Sequence, residues 1–369
     1  MASISEIPEV RLSSICIFAP HSFSDSFSHI SHFRLHFQNL RDNAIIPLEN
    51  QSSMVCLGPM GNPDPSSIIN LETSRVPLKS SNINLDWTQA FRSWPSVTLG
   101  WRNWFRRIVN VQRTNWEEYD ISQCLNLSLS EMIRNEPMLI STSYYWSDAL
   151  NAFMFNHGPM TPTMMDVVML TSLNIHAANR PFHLLEKTSF KIETKSIGGW
   201  KGYIGKNMKT GSVSVKEHTA FLNMWLEKFI LYGKAVGPTS NNLKLVENLA
   251  TGNPVPLGKH LLGSVYHLLH QVSSRLRKNQ PITNLGGPRW FIQLWLHMYM
   301  HKTMTVELLE IEFPSKNLSE EEATITRRCI SFGKAAFMIA NDPKVLGITD
   351  FFKCFYNGFP ETSTIWFAY

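Results

Sequence analysis

From about residue 84 onward, apolar residues recur every three to four positions, the signature of helices with one buried face. Phe221, Leu222, Trp225, Leu226, Phe229 and Ile230 form one such stripe, closed by Gly233 and Gly237-Pro238. Leu261, Val265, Leu268, Leu269, Val272 and Leu276 form another, with Arg275, Arg277 and Lys278 near its C-terminal end, where positive charge suits the helix dipole. Pro288 opens a Trp/Leu-rich helix, RWFIQLWLHMYM. Ser319 followed by Glu320, Glu321 and Glu322 reads as a capped helix start, and Asn341 and Pro343 as its stop. Tyr145, Trp146, Ala149, Leu150 and Phe153 share a helical face, and Asn156-His157-Gly158-Pro159 stops it. Thr161 is placed to cap the next helix with Pro162 at its first position. That helix, MMDVVMLTSL, is apolar on nearly every side and predicts a central buried element. These two helices are expected to pack as a helical hairpin.

Period-two alternation is rare. KTGSVSVKE is the best strand candidate, and the glycine-rich stretch from Gly198 through Gly211, which contains GGWKGYIGKN, reads as a flexible loop or small hairpin between helical halves. The fold class expected is therefore all-α: a multi-helix globular domain with a short β-hairpin or loop insertion. Residues 1–83 differ. The Ser/His/Phe run HSFSDSFSHISHF and the turn-forming LGPMGNPDPSS predict a poorly ordered N-terminal segment ahead of a helical domain over 84–369.

Composition supports a packed core, with 43% apolar residues, 22 Phe, 11 Trp and 16 Met among 369. The net charge of +5 is spread without a Lys/Arg block, so it permits attraction to nucleic acid or an acidic partner without requiring either. The five cysteines, Cys16, Cys56, Cys124, Cys329 and Cys354, are odd in number and contain no CxxC. They argue against a disulfide framework or cysteine zinc site and for reduced thiols of the cytosol or nucleus. Glyco-acceptor triplets begin at Asn126 and Asn317 but matter only in a secreted protein. The N-terminus lacks a basic segment followed by an apolar one, and no stretch is apolar enough to cross a membrane.

The chemical signals are weak. His297 and His301 are four apart, but Met298 stands where a zinc protease needs Glu. Arg289, Gln293, His297 and His301 then read as a polar row facing solvent or a partner. His29, His32 and His36 fall in a polar tract, and His260, His267 and His270 on the polar side of a helix. GGWKGYIGKN fails the phosphate-loop pattern because Trp200 and Asn207 occupy essential positions. Lys201 and Lys206 lack the acidic partner and α/β scaffold of a pyridoxal site. No catalytic, metal or cofactor residue is assigned. One stretch interleaves Trp101, Trp104, Phe105 and Trp116 with Arg102, Arg106, Arg107 and Arg113. Arginine and tryptophan together can pair phosphates and stack on bases. The simpler reading is an amphipathic helix with Trp inside and Arg outside, its arginines offered to a protein or nucleic-acid partner.

The segment SYYWSDALNAFMFNHGPMTPTMMDVVMLTSLNI resembles the plant mobile domain family, often labelled aminotransferase-like. The matching positions are Trp146, Leu150, Phe153, Phe155, Gly158, Met160, Thr161, Pro162, Thr163, Asp166, Leu170 and Leu173. Trp101, Trp104, Trp116 and GGPRWFIQLWLHMY add weaker support, and the resemblance covers about residues 85 to 369. It implies a nuclear, non-catalytic protein bearing on transposon or gene silencing and meristem growth, working with a phosphatase-like protein partner and with no cofactor or membrane. The closing apolar run FYNGFPETSTIWFAY, where similar proteins continue, suggests a truncated or transposon-derived copy. The alternatives are a hydrolase or transferase built on a histidine and a carboxylate, for instance His157 with Asp166, or a nonfunctional transposon remnant.

Overall fold

The computed structural model describes residues 44–45, 56–57, 86–87, 90–91, 94–148, 150–155, 158–176, 188, 191–253, 255–278, 280–283, 285–299 and 346–357. The helix expected after Ser319, the histidines at 29, 32, 36, 157 and 301, and most of the N-terminal segment lie outside the described residues. Within that segment, β1 (Ala44–Ile45) pairs antiparallel with β2 (Cys56–Leu57).

Ten α-helices follow among the described residues. They are α1 (Trp101–Glu118), α2 (Ser122–Leu127), α3 (Glu136–Tyr144), α4 (Met164–Thr171), α5 (Gly199–Asn207), α6 (Val215–Met224), α7 (Leu243–Ala250), α8 (Leu257–Arg277), α9 (Arg289–Tyr299) and α10 (Ile348–Asn357). A π-helical turn, Trp225–Ile230, continues α6. The expectation of a mainly helical domain holds. So do the stripes of α6 and α8, and the helix expected to open at Pro288 is α9.

A three-stranded antiparallel meander stands between α3 and α4: β3 (Trp146–Ser147), β4 (Ala152–Phe155) and β5 (Gly158–Met160). Trp146 pairs with Phe153, and Phe153 with Met160. The helix expected over Tyr145 to Phe153 is therefore wrong, and so is the helical hairpin. The physical reason is local. Asn151 adopts the left-handed conformation at φ 53°, which breaks a helix and closes a turn. The apolar run AFMF is only four residues long and all four are buried. A strand covered on both faces shows no alternation, so its apolar pattern imitates a helix.

Two further expectations fail. GGWKGYIGKN is helix α5, entered by Gly198 and Gly199 at positive φ. A Cβ at Gly202 would sit 1.5 Å from the Ile197 carbonyl oxygen, so glycine there permits a tight turn onto the helix. KTGSVSVKE forms no strand. Ser214 caps α6, its side chain accepting from the Glu217 N–H at 3.2 Å.

The core is dominated by aromatic rings. Trp101 stacks on Phe221 at 4.6 Å between centroids and on Phe229 at 4.8 Å, and Trp116 stacks on Phe221 at 5.5 Å. A second group joins the meander to α9 and α10, with Phe153 5.7 Å from Trp295 and Phe155 4.9 Å from Phe355. The Tyr145 hydroxyl donates to the Phe352 carbonyl at 2.8 Å, tying α10 to the end of α3. Cys124 is a buried free thiol.

Candidate functional site

The MTPT segment and its flanks form a joint. Met160 ends β5, Thr161 and Pro162 cross the gap, and Thr163 caps α4. The cap lies two residues later than the sequence suggested. It is a reciprocal capping box, in which Asp166 N–H donates to Thr163 Oγ1 at 3.3 Å and Thr163 N–H donates to Asp166 Oδ2 at 2.6 Å. The Thr163 hydroxyl adds a bond to the same Oδ2 at 2.7 Å. The Tyr299 hydroxyl, from the end of α9, donates to the other carboxylate oxygen. From α8, the Tyr266 hydroxyl donates to the Pro162 carbonyl at 2.9 Å and lies 2.9 Å from Thr161 Oγ1. Trp146 and Phe153 are fully buried, and Val167 and Leu170 face the core. Gly158 pairs with Phe155 across β4 and β5. Helix α4 is buried on this side alone, since Met165 is exposed, which corrects the fully buried helix expected. The side-chain oxygens of Thr161, Thr163 and Asp166 are thus all engaged in holding elements together.

The arginine-rich helix divides as an amphipathic helix should. Trp101, Trp104, Phe105, Ile108 and Trp116 are buried. Sealed indoles cannot stack on bases, so the tryptophans offer no nucleic-acid platform. Arg102, Arg106 and Arg113 are exposed. Arg102 donates to the Leu129 carbonyl and Arg106 to Asn103 Oδ1, each at 3.2 Å. Arg107 is different. Its Nε donates to Glu217 Oε1 at 2.8 Å, and its second nitrogen reaches Glu217 Oε2 at 3.1 Å and the Gly211 carbonyl at 2.8 Å. Glu217 also accepts from Trp104 Nε1 at 3.2 Å and Lys209 N–H at 3.3 Å. Burial would raise its pKa, but these donors outweigh it and leave the carboxyl below its ordinary value. Arg107 is thus a strut between α1 and α6.

A model of the plant mobile domain matches residues 120–335. The chain belongs to the plant mobile domain family. No curated protein and no solved structure matches it.

The fold of this plant mobile domain extends past the matched span on both sides. Helix α1 precedes it, yet Trp101 and Trp116 stack on Phe221. Helix α10 follows it, yet packs on α3. Lys201 and Lys206 are both exposed on α5, and Lys206 pairs with Glu193.

The row from Arg289 to His297 is buried inside the fold, against the expectation that it faces solvent or a partner. The segment 131–136 covers it. Gln293 accepts from Asn135 N–H at 2.9 Å and donates to the Ile133 carbonyl at 2.7 Å. Arg289 donates to the Leu285 carbonyl at 2.8 Å, and its guanidinium lies 5.4 Å from the Phe91 ring centroid. Burial lowers its pKa to about 10, so it stays charged at neutral pH. His297 Nδ1 faces the Gln293 carbonyl at 2.8 Å, so Nδ1 carries the proton, and Nε2 has no hydrogen-bond partner among the described residues. His218 accepts from Trp116 Nε1 at 3.0 Å and is likewise neutral. Burial pulls both histidines down to about 4.

One histidine does meet a carboxylate. His270 Nδ1 lies 3.4 Å from Asp148 Oδ1, but Asp148 also pairs with Arg277, and His270 Nε2 is 2.8 Å from Asn151 Oδ1. The amide occupies the nitrogen a nucleophile would need. Among the described residues no three His, Cys, Asp or Glu side chains are grouped to hold a metal, and no helix is long and apolar enough to cross a membrane. Sequence reasoning missed Glu217, His218 and Lys228, which all lie buried on α6 and its π-helical turn. Helical phase alone places them beside Phe221 and Trp225, on positions that could have been read as interior.

Proposed function

We propose that this plant mobile domain is a non-catalytic nuclear interaction module, bearing on transposon or gene silencing and meristem growth, that meets its partner through the outer face of α1. The observation that carries the reading is the contrast among its arginines. Arg102, Arg106 and Arg113 are exposed on one helical face with no carboxylate of the described residues within 4 Å, while Arg107 is committed to Glu217. Three exposed guanidiniums along one helical face suit an acidic protein surface, because Arg pairs carboxylates in bidentate geometry. The family resemblance points to a phosphatase-like protein as that partner. The absence of chemistry at the motif supports the same reading: Asp166, its one carboxylate, is spent on the α4 cap and Tyr299. Nucleic acid could be attracted to the same charges only through phosphates, since the indoles are buried.

The test is affinity purification from plant nuclei with the wild-type chain and with Arg102→Glu/Arg106→Glu/Arg113→Glu. The expected result is a protein partner that survives nuclease treatment and is lost with the triple variant, whose melting temperature is unchanged. A partner retained by the triple variant would remove α1 from the interface. A tagged chain excluded from the nucleus would remove the nuclear role.

A further inference from the structure

The charges of α1 run against the helix that carries them. A helix dipole favours carboxylates at the N-terminus and cations at the C-terminus. Helix α1 has no acidic residue in its first turn and no basic residue in its last. Arg102 stands at its start instead, and Glu117 and Glu118 close it. All three are exposed, as are Arg106 and Arg113. Among the described residues neither glutamate has a cation within 4 Å, and Arg113 does not pair with Glu117 one turn further on. Where a sequence breaks a local rule along a whole helix, the compensation comes from outside that helix.

The arrangement is complementary to itself. Arg102, Arg106, Asn110, Arg113 and Glu117 follow at steps of three or four residues along one exposed face. Arg102 and Glu118 lie eight residues either side of Asn110, about 12 Å along the axis. A second α1 laid antiparallel across this face, with a twofold axis at Asn110, brings the second copy's Glu117 and Glu118 level with Arg102 and within reach of Arg106. The twofold repeats those contacts at the other end. The dipoles oppose as well, each negative C-terminus lying beside a positive N-terminus. Arg113 falls opposite the second copy's Arg107, whose charge Glu217 already balances. At the centre Asn110 meets Asn110, and an amide both donates and accepts. A parallel pair would set arginine on arginine and glutamate on glutamate.

We propose that α1 is also a self-association face, pairing antiparallel with α1 of a second copy. The inference rests on the reading of this helix as the surface where the module meets others, and it names the regulation of that surface. The dimer covers the arginines a partner needs, so self-association and partner binding exclude each other. The contact is polar and open to water at its edges, so it is weak and salt governs it.

The experiment is sedimentation velocity of the full chain at pH 7.5, from about 1 µM to about 200 µM and in about 50 mM and about 500 mM salt. The expected result is a concentration-dependent dimer, weakened at least about tenfold by the higher salt. R102E/R106E and E117R/E118R should each sediment as folded monomers by circular dichroism. The variant carrying all four reversals should recover the dimer, because its two ends are again opposite in sign. E117R/E118R keeps Arg102, Arg106 and Arg113, so it should still capture the nuclear partner while failing to self-associate. A wild-type chain that dimerises but captures nothing sinks the partner reading alone. A wild-type monomer throughout, a dimer that survives either double reversal, or a fourfold variant that stays monomeric overturns the self-association.

Discussion

Helices α1 and α9 carry comparable polar rows and put them to opposite use. In α1 the row is Arg102, Arg106 and Arg113, and it meets water. In α9 it is Arg289, Gln293 and His297, four residues apart along one face, and it is sealed beneath residues 131–136 and Phe91. The partners make the difference. Arg102, Arg106 and Arg113 keep their charge solvated, and the bonds of Arg102 to the Leu129 carbonyl and of Arg106 to Asn103 lie on the surface. The α9 row satisfies the Ile133 carbonyl and the Asn135 N–H of a segment that has no helix or strand to do so. Polar groups buried away from water cost free energy unless hydrogen-bonded, so this row and its cover hold each other in place.

The largest effect that can sharpen this contrast is acid. His297 and His218 are neutral in the fold, with pKa values depressed from 6.5 to about 4. Unfolding lets each take up a proton between those limits. The stability they contribute is complete above pH 6.5 and is lost as pH falls toward 4, about 3 kcal/mol for each histidine. Urea midpoints measured from pH 7.5 to 4.5 should fall steadily through this window; a flat profile would mean that neither histidine is sealed. Next comes Gln293→Leu, which keeps the bulk but strands the Asn135 N–H and the Ile133 carbonyl. A loss of about 3 kcal/mol is expected from two orphaned groups, read from the same urea transitions. A loss below 1 kcal/mol would show that water reaches this row after all. The smallest effect belongs to α1, where reversing Arg102, Arg106 or Arg113 to Glu should shift stability by no more than about 0.5 kcal/mol each. A larger loss would make that face part of the folded scaffold rather than a surface for a partner.

Much of this was legible beforehand. Leu261 through Leu276 repeat with helical period over a length no strand reaches, and α8 is where the stripe said. The inward tryptophans of α1 were legible for the same reason. The stretch from Tyr145 to Phe155 was not, because AFMF is buried on both faces and carries no alternation to mark a strand. Gly198, Gly199 and Gly202 looked like a loop because composition does not tell a helix entry from flexibility; the close approach of Ile197 to Gly202 does. The motif was legible as a family signature but not as a mechanism. Tyr266 and Tyr299, which bind Thr161 and Asp166 from two other helices, lie more than a hundred residues away.

Local sequence alone determined the helical character, the main helical stripes and the inward turn of the large aromatics, because these follow from the spacing of apolar residues over a few turns. Tertiary structure alone decided which polar rows are buried, which arginine is a strut and which are free, and which lysine loses its water. Periodicity places residues on a common face. Whether that face meets solvent or a neighbouring segment depends on contacts between distant parts of the chain, and the charge state of each polar group follows from that.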